Sequence, residues 1–247
     1  MHPVLFTWGS LTIYSYGMFL AFAFLVGILT LLHKGKKRGI DREKLLSLVI
    51  VILASALAGS RVTYILLWDL QNFLLEPRLF FDVERGGLAF HGGFLLAAAT
   101  GILYSRGSGL PVGTLADMSA PLVALGYAVS RVGCLLNGCC AGRVVHVSWS
   151  LLTSQGYTSF QHPTQLYGVA AGLAIYAILT KQKSRFPGHL MLSLVALYST
   201  YRFIVDFCRE EARVIFDVFT LGQITSITLL AASLFLLYRL LPGRDKY

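Results

Sequence analysis

Charge is what this chain of 247 residues has least of: Asp, Glu, Lys and Arg make up 13% of it, against about 25% in an ordinary soluble domain. Hydrophobic residues fill 55% and the mean hydropathy is +0.67. The chain therefore predicts an all-α, polytopic membrane protein. The net charge of +9 has no basic soluble domain to sit on, which excludes a nucleic-acid partner. Residues 1–10 (MHPVLFTWGS) lack both a basic n-region and a small-residue cleavage site, so the first helix is expected to stay in the membrane. Low-complexity tracts and clear internal repeats are missing too. Cysteine is scarce, at positions 134, 139, 140 and 208. No Cys-x-x-Cys pair is present, which argues against a quinone-linked thiol–disulfide oxidoreductase. The spacing of Cys134, Cys139 and Cys140 to His146 or His162 matches no recognised zinc pattern, and neither a metal nor a cofactor is expected. A serine-nucleophile motif and an acidic metal cluster are absent as well.

Apolar runs, by contrast, are plentiful. Seven of membrane length cover about 11–32, 45–67, 88–105, 112–133, 164–180, 188–208 and 219–240. The third is interrupted on paper by His91, Gly92 and Gly93. Lys34, Lys36, Lys37, Arg38, Arg42 and Lys44 crowd one loop, and Lys181, Lys183 and Arg185 another. Under the positive-inside rule these loops are cytoplasmic, so the N-terminus is periplasmic and the C-terminus cytoplasmic. The expectation is one integral membrane domain, 1–247, with a small outer segment at about 134–163. Residues 68–81 mix aromatics, leucines and charges as interfacial segments do.

This topology puts eight basic residues outside or near the outer face: Arg61, Arg78, Arg85, Arg131, Arg143, Arg202, Arg209 and Arg213. All are arginine, whose planar fork suits phosphate or carboxylate, whereas lysine is an ordinary anchor. At 1.5 Å rise per residue, Arg61 lies roughly 24 Å above Leu45, and Arg202 roughly 21 Å above Gly188. Arg131 closes the fourth span, and Tyr16 and His91 sit just inside spans that begin outside. The five converge on the glycerol level of the outer leaflet, a depth that argues against a transporter with a midplane site. Tyr198, Arg202, Asp206 and Arg209 share one helical stripe, with Arg202 and Asp206 spaced to pair. Asp117, at the other end of its span, reads as a pairing or capping residue near Pro121. Plainer readings stand beside these: snorkelling for Arg61, interfacial anchoring for Arg209 and Arg213, an aromatic belt for Trp8 and Trp68.

An arginine-lined cavity at glycerol depth suits a lipid with an anionic headgroup. Its chemistry is either cleavage of the headgroup or transfer of the lipid portion to an acceptor. In transfer, arginines neutralise the departing phosphate while a base activates a nucleophile brought by the acceptor.

The ordered motifs sharpen this. They are Tyr16-Gly17; Gly59-x-Arg61-x-x-Tyr64; Gly87-x-x-Phe90-His91-Gly92-Gly93; Asp117-x-x-Ala120-Pro121 leading to Arg131-x-Gly133 and Asn137-Gly138-x-x-x-Gly142; His162-Pro163-Thr164-Gln165-Leu166-Tyr167; Tyr198-x-x-x-Arg202-Phe203-x-x-Asp206-Phe207-x-Arg209; and Gly222-Gln223-x-x-Ser226. Together they resemble the bacterial prolipoprotein diacylglyceryl transferases over nearly the whole chain. The resemblance implies an enzyme of the bacterial inner (cytoplasmic) membrane, active at the outer leaflet. It would move the diacylglyceryl group of phosphatidylglycerol to the lipobox cysteine of a prolipoprotein signal peptide, releasing glycerol 1-phosphate. Arg131 and Arg202 would hold the headgroup, and His91, Tyr16 or Tyr198 would help deprotonate the thiol. Asn137, Gly142, Arg61, Tyr64 and Asp206 would complete the substrate site. The chain departs from the family pattern at Cys134, where asparagine is usual, at Cys139 and Gly168, where glutamate is usual, and at Asp206, which shortens a glutamate. A related lipid transferase with a different acceptor is the alternative these departures raise.

Overall fold

The structure is a computed structural model. It describes residues 2–9, 11–81, 86–145, 151–152, 160–210, 213–215 and 219–241. Among them, seven helices of 18 residues or more follow the expected spans to within a few residues: α1 (Ser15–Lys37), α2 (Arg42–Tyr64), α4 (Phe90–Gly107), α5 (Val112–Asn137), α6 (Thr164–Lys181), α7 (His189–Asp206) and α8 (Leu221–Leu240). A short α3 (Leu70–Leu75) follows α2 after a wide turn at Ile65–Asp69. Four helical stretches, α1, α2 running on through α3, α5 and α8, are long and apolar enough to cross a membrane.

Three points differ from the sequence expectation. Residues 11–14, placed in the first span, form strand β2 (Leu11–Tyr14) of an antiparallel hairpin with β1 (Val4–Trp8). Alternating Thr12 and Tyr14 with apolar neighbours favours a strand, and Gly9, at φ +61°, makes the turn. Two further small hairpins, β3 (Leu151–Leu152) with β4 (Phe160–Gln161) and β5 (Arg213–Ile215) with β6 (Phe219–Thr220), make the fold mostly rather than wholly helical. Finally, α4 runs unbroken through His91-Gly92-Gly93.

The chain divides into two compact units: residues 32–112, and residues 1–31 with 113–247. In the first, Asp41 caps α2 by accepting the Glu43 N–H at 2.8 Å, and Leu45 fills the space that Gly35 leaves. The α2–α4 pair is antiparallel, closed at one end by Lys44 Nζ donating to Ser108 O at 3.0 Å. Its middle explains the glycines. A Cβ on Gly59 would lie 2.7 Å from Gly92 O, one on Gly93 2.7 Å from Ala56 O, and one on Gly92 would collide with Thr63. Small residues let two backbones touch where lipid supplies no hydrophobic drive.

In the second unit, α5, α6 and α7 share a core of Ala120, Ala124, Ile175, Leu179 and Leu194. Gly172 brings α6 onto α5 against Ala128 and Ala124. Asp117 is buried and caps α7 from a distance. It accepts the Leu190 N–H at 2.8 Å, the Met191 N–H at 3.3 Å and the Ser184 hydroxyl at 2.7 Å. A carboxylate at a helix N-terminus satisfies open amides and meets the positive end of the dipole. Outward faces of the helices carry bare apolar side chains, among them Phe22, Leu25, Leu29, Leu229 and Phe235. In water such faces would be unstable; in hydrocarbon they are the expected surface.

Candidate functional site

The larger unit gathers most of the expected site. Arg131 lies in the last turns of α5 with its guanidinium 4.9 Å above the Tyr127 ring, one helical turn earlier. The Tyr127 ring also meets Tyr198 edge-on at 5.2 Å, and its hydroxyl lies 3.2 Å from that of Tyr201. Tyr198 and Tyr201 both come from α7, where Arg202 follows Tyr198 by one turn. The same Tyr-x-x-x-Arg unit thus occurs on α5 and α7, and the two meet ring to ring. Arg131 and Arg202 are both within electrostatic range of Tyr198. Tyr127 and Tyr201 were not singled out from the sequence; the four-residue spacing to Arg131, which repeats that of Tyr198 to Arg202, is the signal that points to Tyr127.

Arg202 pairs with buried Asp206 at 3.0 Å. The other Asp206 oxygen accepts the Thr220 hydroxyl at 2.8 Å, and Thr220 in turn caps α8 in a box with Gln223. Gly222 leaves the room: a Cβ there would strike the Asp206 carboxylate and lie 3.0 Å from Arg202 Nη2. The shortened acid is thus tightly held and orients Arg202 from below. Gly168 does a similar service for Arg131, since a Cβ at 168 would lie 2.8 Å from Arg131 Cγ and 3.2 Å from the Tyr127 hydroxyl.

After α5 the chain turns sharply. Gly138 has φ +75°, and Cys140, at φ +63°, is the one non-glycine among the described residues with a left-handed backbone. Gln165 Nε2 donates to Cys139 O at 2.8 Å and the Thr164 hydroxyl to Cys140 O at 2.6 Å, so the His-Pro-Thr-Gln motif at the start of α6 fastens this loop. Gly142 and Arg143 are bonded to His162 O and Cys208 O, at 2.9 and 2.8 Å. A side chain at 142 would meet His162 and Thr164. Cys134, Cys139 and Cys140 are free thiols whose sulfurs lie within 4.8 Å of one another, with Asn137 bonded to Cys139. The Cys134 thiol, followed by Cys139, Arg131 and Arg209, pushes the Cys140 thiol below its ordinary value, while burial pushes Cys139 up. Tyr16, at the start of α1, packs on Gly133, where an added Cβ would lie 3.2 Å from the Tyr16 Cα.

The smaller unit holds Arg61, Tyr64 and His91. Arg61 is 5% exposed, and its guanidinium donates to four backbone carbonyls: Phe80 at 3.2 Å, Gly86 at 2.8 Å, Gly87 at 3.1 Å, and Leu79. It also lies 5.7 Å over the Tyr64 ring. Arg61 and Tyr64 border a cavity of about 450 Å3 whose wall includes Asp69, Asn72 and Glu76. His91 is exposed in the first turn of α4, edge-on to Phe90 at 5.7 Å. His146 lies outside the described residues.

Residues 3–239 match the profile of the family described as prolipoprotein diacylglyceryl transferase. The chain belongs to that family. A phosphatidylglycerol–prolipoprotein diacylglyceryl transferase of Vibrio vulnificus is 32% identical over 243 residues, covering 95% of this chain and 90% of the relative. Proteins of the same name from Geobacter sulfurreducens and Pseudomonas putida are 29% and 32% identical, covering 91% and 96% of this chain and 89% and 92% of theirs. Gly168 frees the space Arg131 occupies, and Thr220 and Gly222 close around Asp206.

Proposed function

We propose that this membrane enzyme transfers the diacylglyceryl group of phosphatidylglycerol to the lipobox cysteine of prolipoproteins, releasing glycerol 1-phosphate. The observation that carries the reading is the family match across residues 3–239, with Arg131 and Arg202 joined through one tyrosine cluster. The enzyme crosses the bacterial inner membrane seven times as one integral domain, with its N-terminus periplasmic and its site at the outer leaflet. In the reaction the cysteine thiolate attacks the glyceryl carbon bonded to the phosphate oxygen. The C–O bond breaks and its electron pair leaves on the phosphate. Negative charge therefore builds where two guanidinium groups can hold it, Arg131 levelled on a ring face and Arg202 braced by Asp206. His91, Tyr16 or Tyr198 would, by residue type, help deprotonate the thiol. Arg61 serves by holding the carbonyls of Leu79, Phe80, Gly86 and Gly87 around itself, with Tyr64 beside it. Asn137 and Gly142 shape the loop that faces the acceptor. The test is direct. Membranes containing the protein, phosphatidylglycerol and a lipobox peptide should yield a peptide heavier by one diacylglyceryl group together with free glycerol phosphate. Neither product, in a preparation where a family relative is active, rejects the lipobox cysteine as acceptor.

A further inference from the structure

We propose that Cys134, Cys139 and Cys140 form a site for one thiophilic divalent cation, zinc by ligand chemistry, whose open fourth position takes the acceptor cysteine; this rests on the transfer reading above.

The geometry comes first. Zinc–sulfur bonds of about 2.3 Å set three sulfurs around one ion roughly 3.8 Å apart. Here the three lie within 4.8 Å of one another and the Cys139–Cys140 pair is at 3.6 Å. A rotamer adjustment closes the rest. The donor set is all thiol, with no carboxylate, which selects zinc or another soft ion over magnesium and calcium. In sequence the spacing matches no zinc motif, because the ligands straddle a helix end: Cys134 rides the last turn of α5, and the loop folds back to bring the others over it through Cys139 N–H donating to Cys134 O at 3.2 Å.

The backbone is also set up in advance. Cys140 occupies a left-handed conformation that a glycine would adopt freely, a cost that persists where surrounding bonds fix it and function uses it. Gln165 and Thr164 fix it by holding the carbonyls of Cys139 and Cys140. The ligands grade from buried Cys134 through half-buried Cys139 to exposed Cys140, so a bound ion is covered on one side and open on the other. Three thiolates and a divalent ion sum to one negative charge, and Arg131 and Arg209 lie within electrostatic range of Cys140 to balance it. In the outward orientation proposed above, uncomplexed thiols would face an oxidising compartment; ligation keeps them reduced.

The site favours a nucleophile at neutral pH. A metal-bound thiol is deprotonated. When the acceptor cysteine binds, its S–H bond breaks, the proton passes to the base of the transfer reading and sulfur keeps the electron pair. Transfer forms the S–C bond to the glyceryl carbon and breaks the C–O bond, and the pair leaves with glycerol 1-phosphate. The thioether product is a weak ligand and departs. No electron is exchanged.

The test uses the full chain, purified in detergent under reducing conditions, loaded with zinc or cobalt(II) and desalted. One zinc per chain and a thiolate-to-cobalt charge-transfer band are expected. Cys134→Ser, Cys139→Ser and Cys140→Ser should each weaken zinc binding by ~100-fold or more, while Cys208→Ser retains it. Adding a lipobox peptide should shift the cobalt spectrum, and the same peptide with serine for cysteine should not. A metal-free wild-type protein after loading, binding that survives the triple serine variant, or a Cys139–Cys140 disulfide in native membranes would overturn the site. An unshifted spectrum would overturn the open position. These readouts need no turnover, so a failure of the transferase reading, which shows as absent product, is seen separately.

Discussion

Arg61 and Arg131 begin alike: each is an arginine in the final turns of an apolar helix, costly there unless something answers its charge. The fold answers them differently. Arg61 is buried and spends its fork on four carbonyls of its own chain. Arg131 is half-buried and laid on a ring face, which orients a guanidinium without saturating its donors. The first arrangement builds a wall; the second leaves the charge to which the proposed function assigns the departing phosphate. Residue type, which is equal here, does not separate scaffold from the proposed ligand clamp; the partners do.

The comparison breaks first at Arg131. Arg131→Ala should lower diacylglyceryl transfer by ~10³-fold, the scale of losing a preorganised charge donor, with the protein still inserting and migrating as a single species. Turnover within a few-fold of wild type would put Arg131 on the same footing as Arg61. Next is Arg61→Lys, where one ammonium cannot reach four carbonyls. Thermal unfolding in detergent should show a loss of about 3 kcal/mol, with kcat per folded molecule held much closer to wild type than in Arg131→Ala. A kcat collapse at unchanged stability would make Arg61 a substrate group. Gly168→Ala pushes on the Arg131 stem and, less closely, on the Tyr127 hydroxyl, so KM for phosphatidylglycerol should rise ~10-fold with normal expression; an unchanged KM would mean the stem has room to spare. Smallest is Tyr127→Phe, which keeps the ring under Arg131 and loses the hydroxyl contact to Tyr201. Transfer should fall less than ~3-fold, about the worth of one neutral hydrogen bond. A larger fall would give the hydroxyl itself a part in the chemistry.

The seven long helices were legible because each is an apolar run bounded by charges or glycines, and their ends fell within a few residues of expectation. The family was legible because its motifs recur in order. The Arg202–Asp206 pair followed from i, i+4 spacing alone. The carbonyl cage of Arg61 was not, since its partners are backbone atoms 18 to 26 residues away that leave no mark in side-chain identity. The role of Asp117 was half visible: capping was expected, but its partner turned out to be α7, some 73 positions on. Gly92 and Gly93 read as an interruption of their helix because a glycine pair is a poor helix former in isolation; contact with α2 outweighs that propensity. The thiol cluster was hidden by the turn after α5, which sequence spacing does not show.

The backbone-to-backbone seam between α2 and α4 also bears on how the protein is made. Both halves of that seam, from Ala56 to Gly93 and from Lys44 to Ser108, are synthesised before α5 begins. The pair can therefore zip into a helical hairpin while the ribosome is still translating the chain that carries Arg131, leaving the later helices to assemble after a finished first piece.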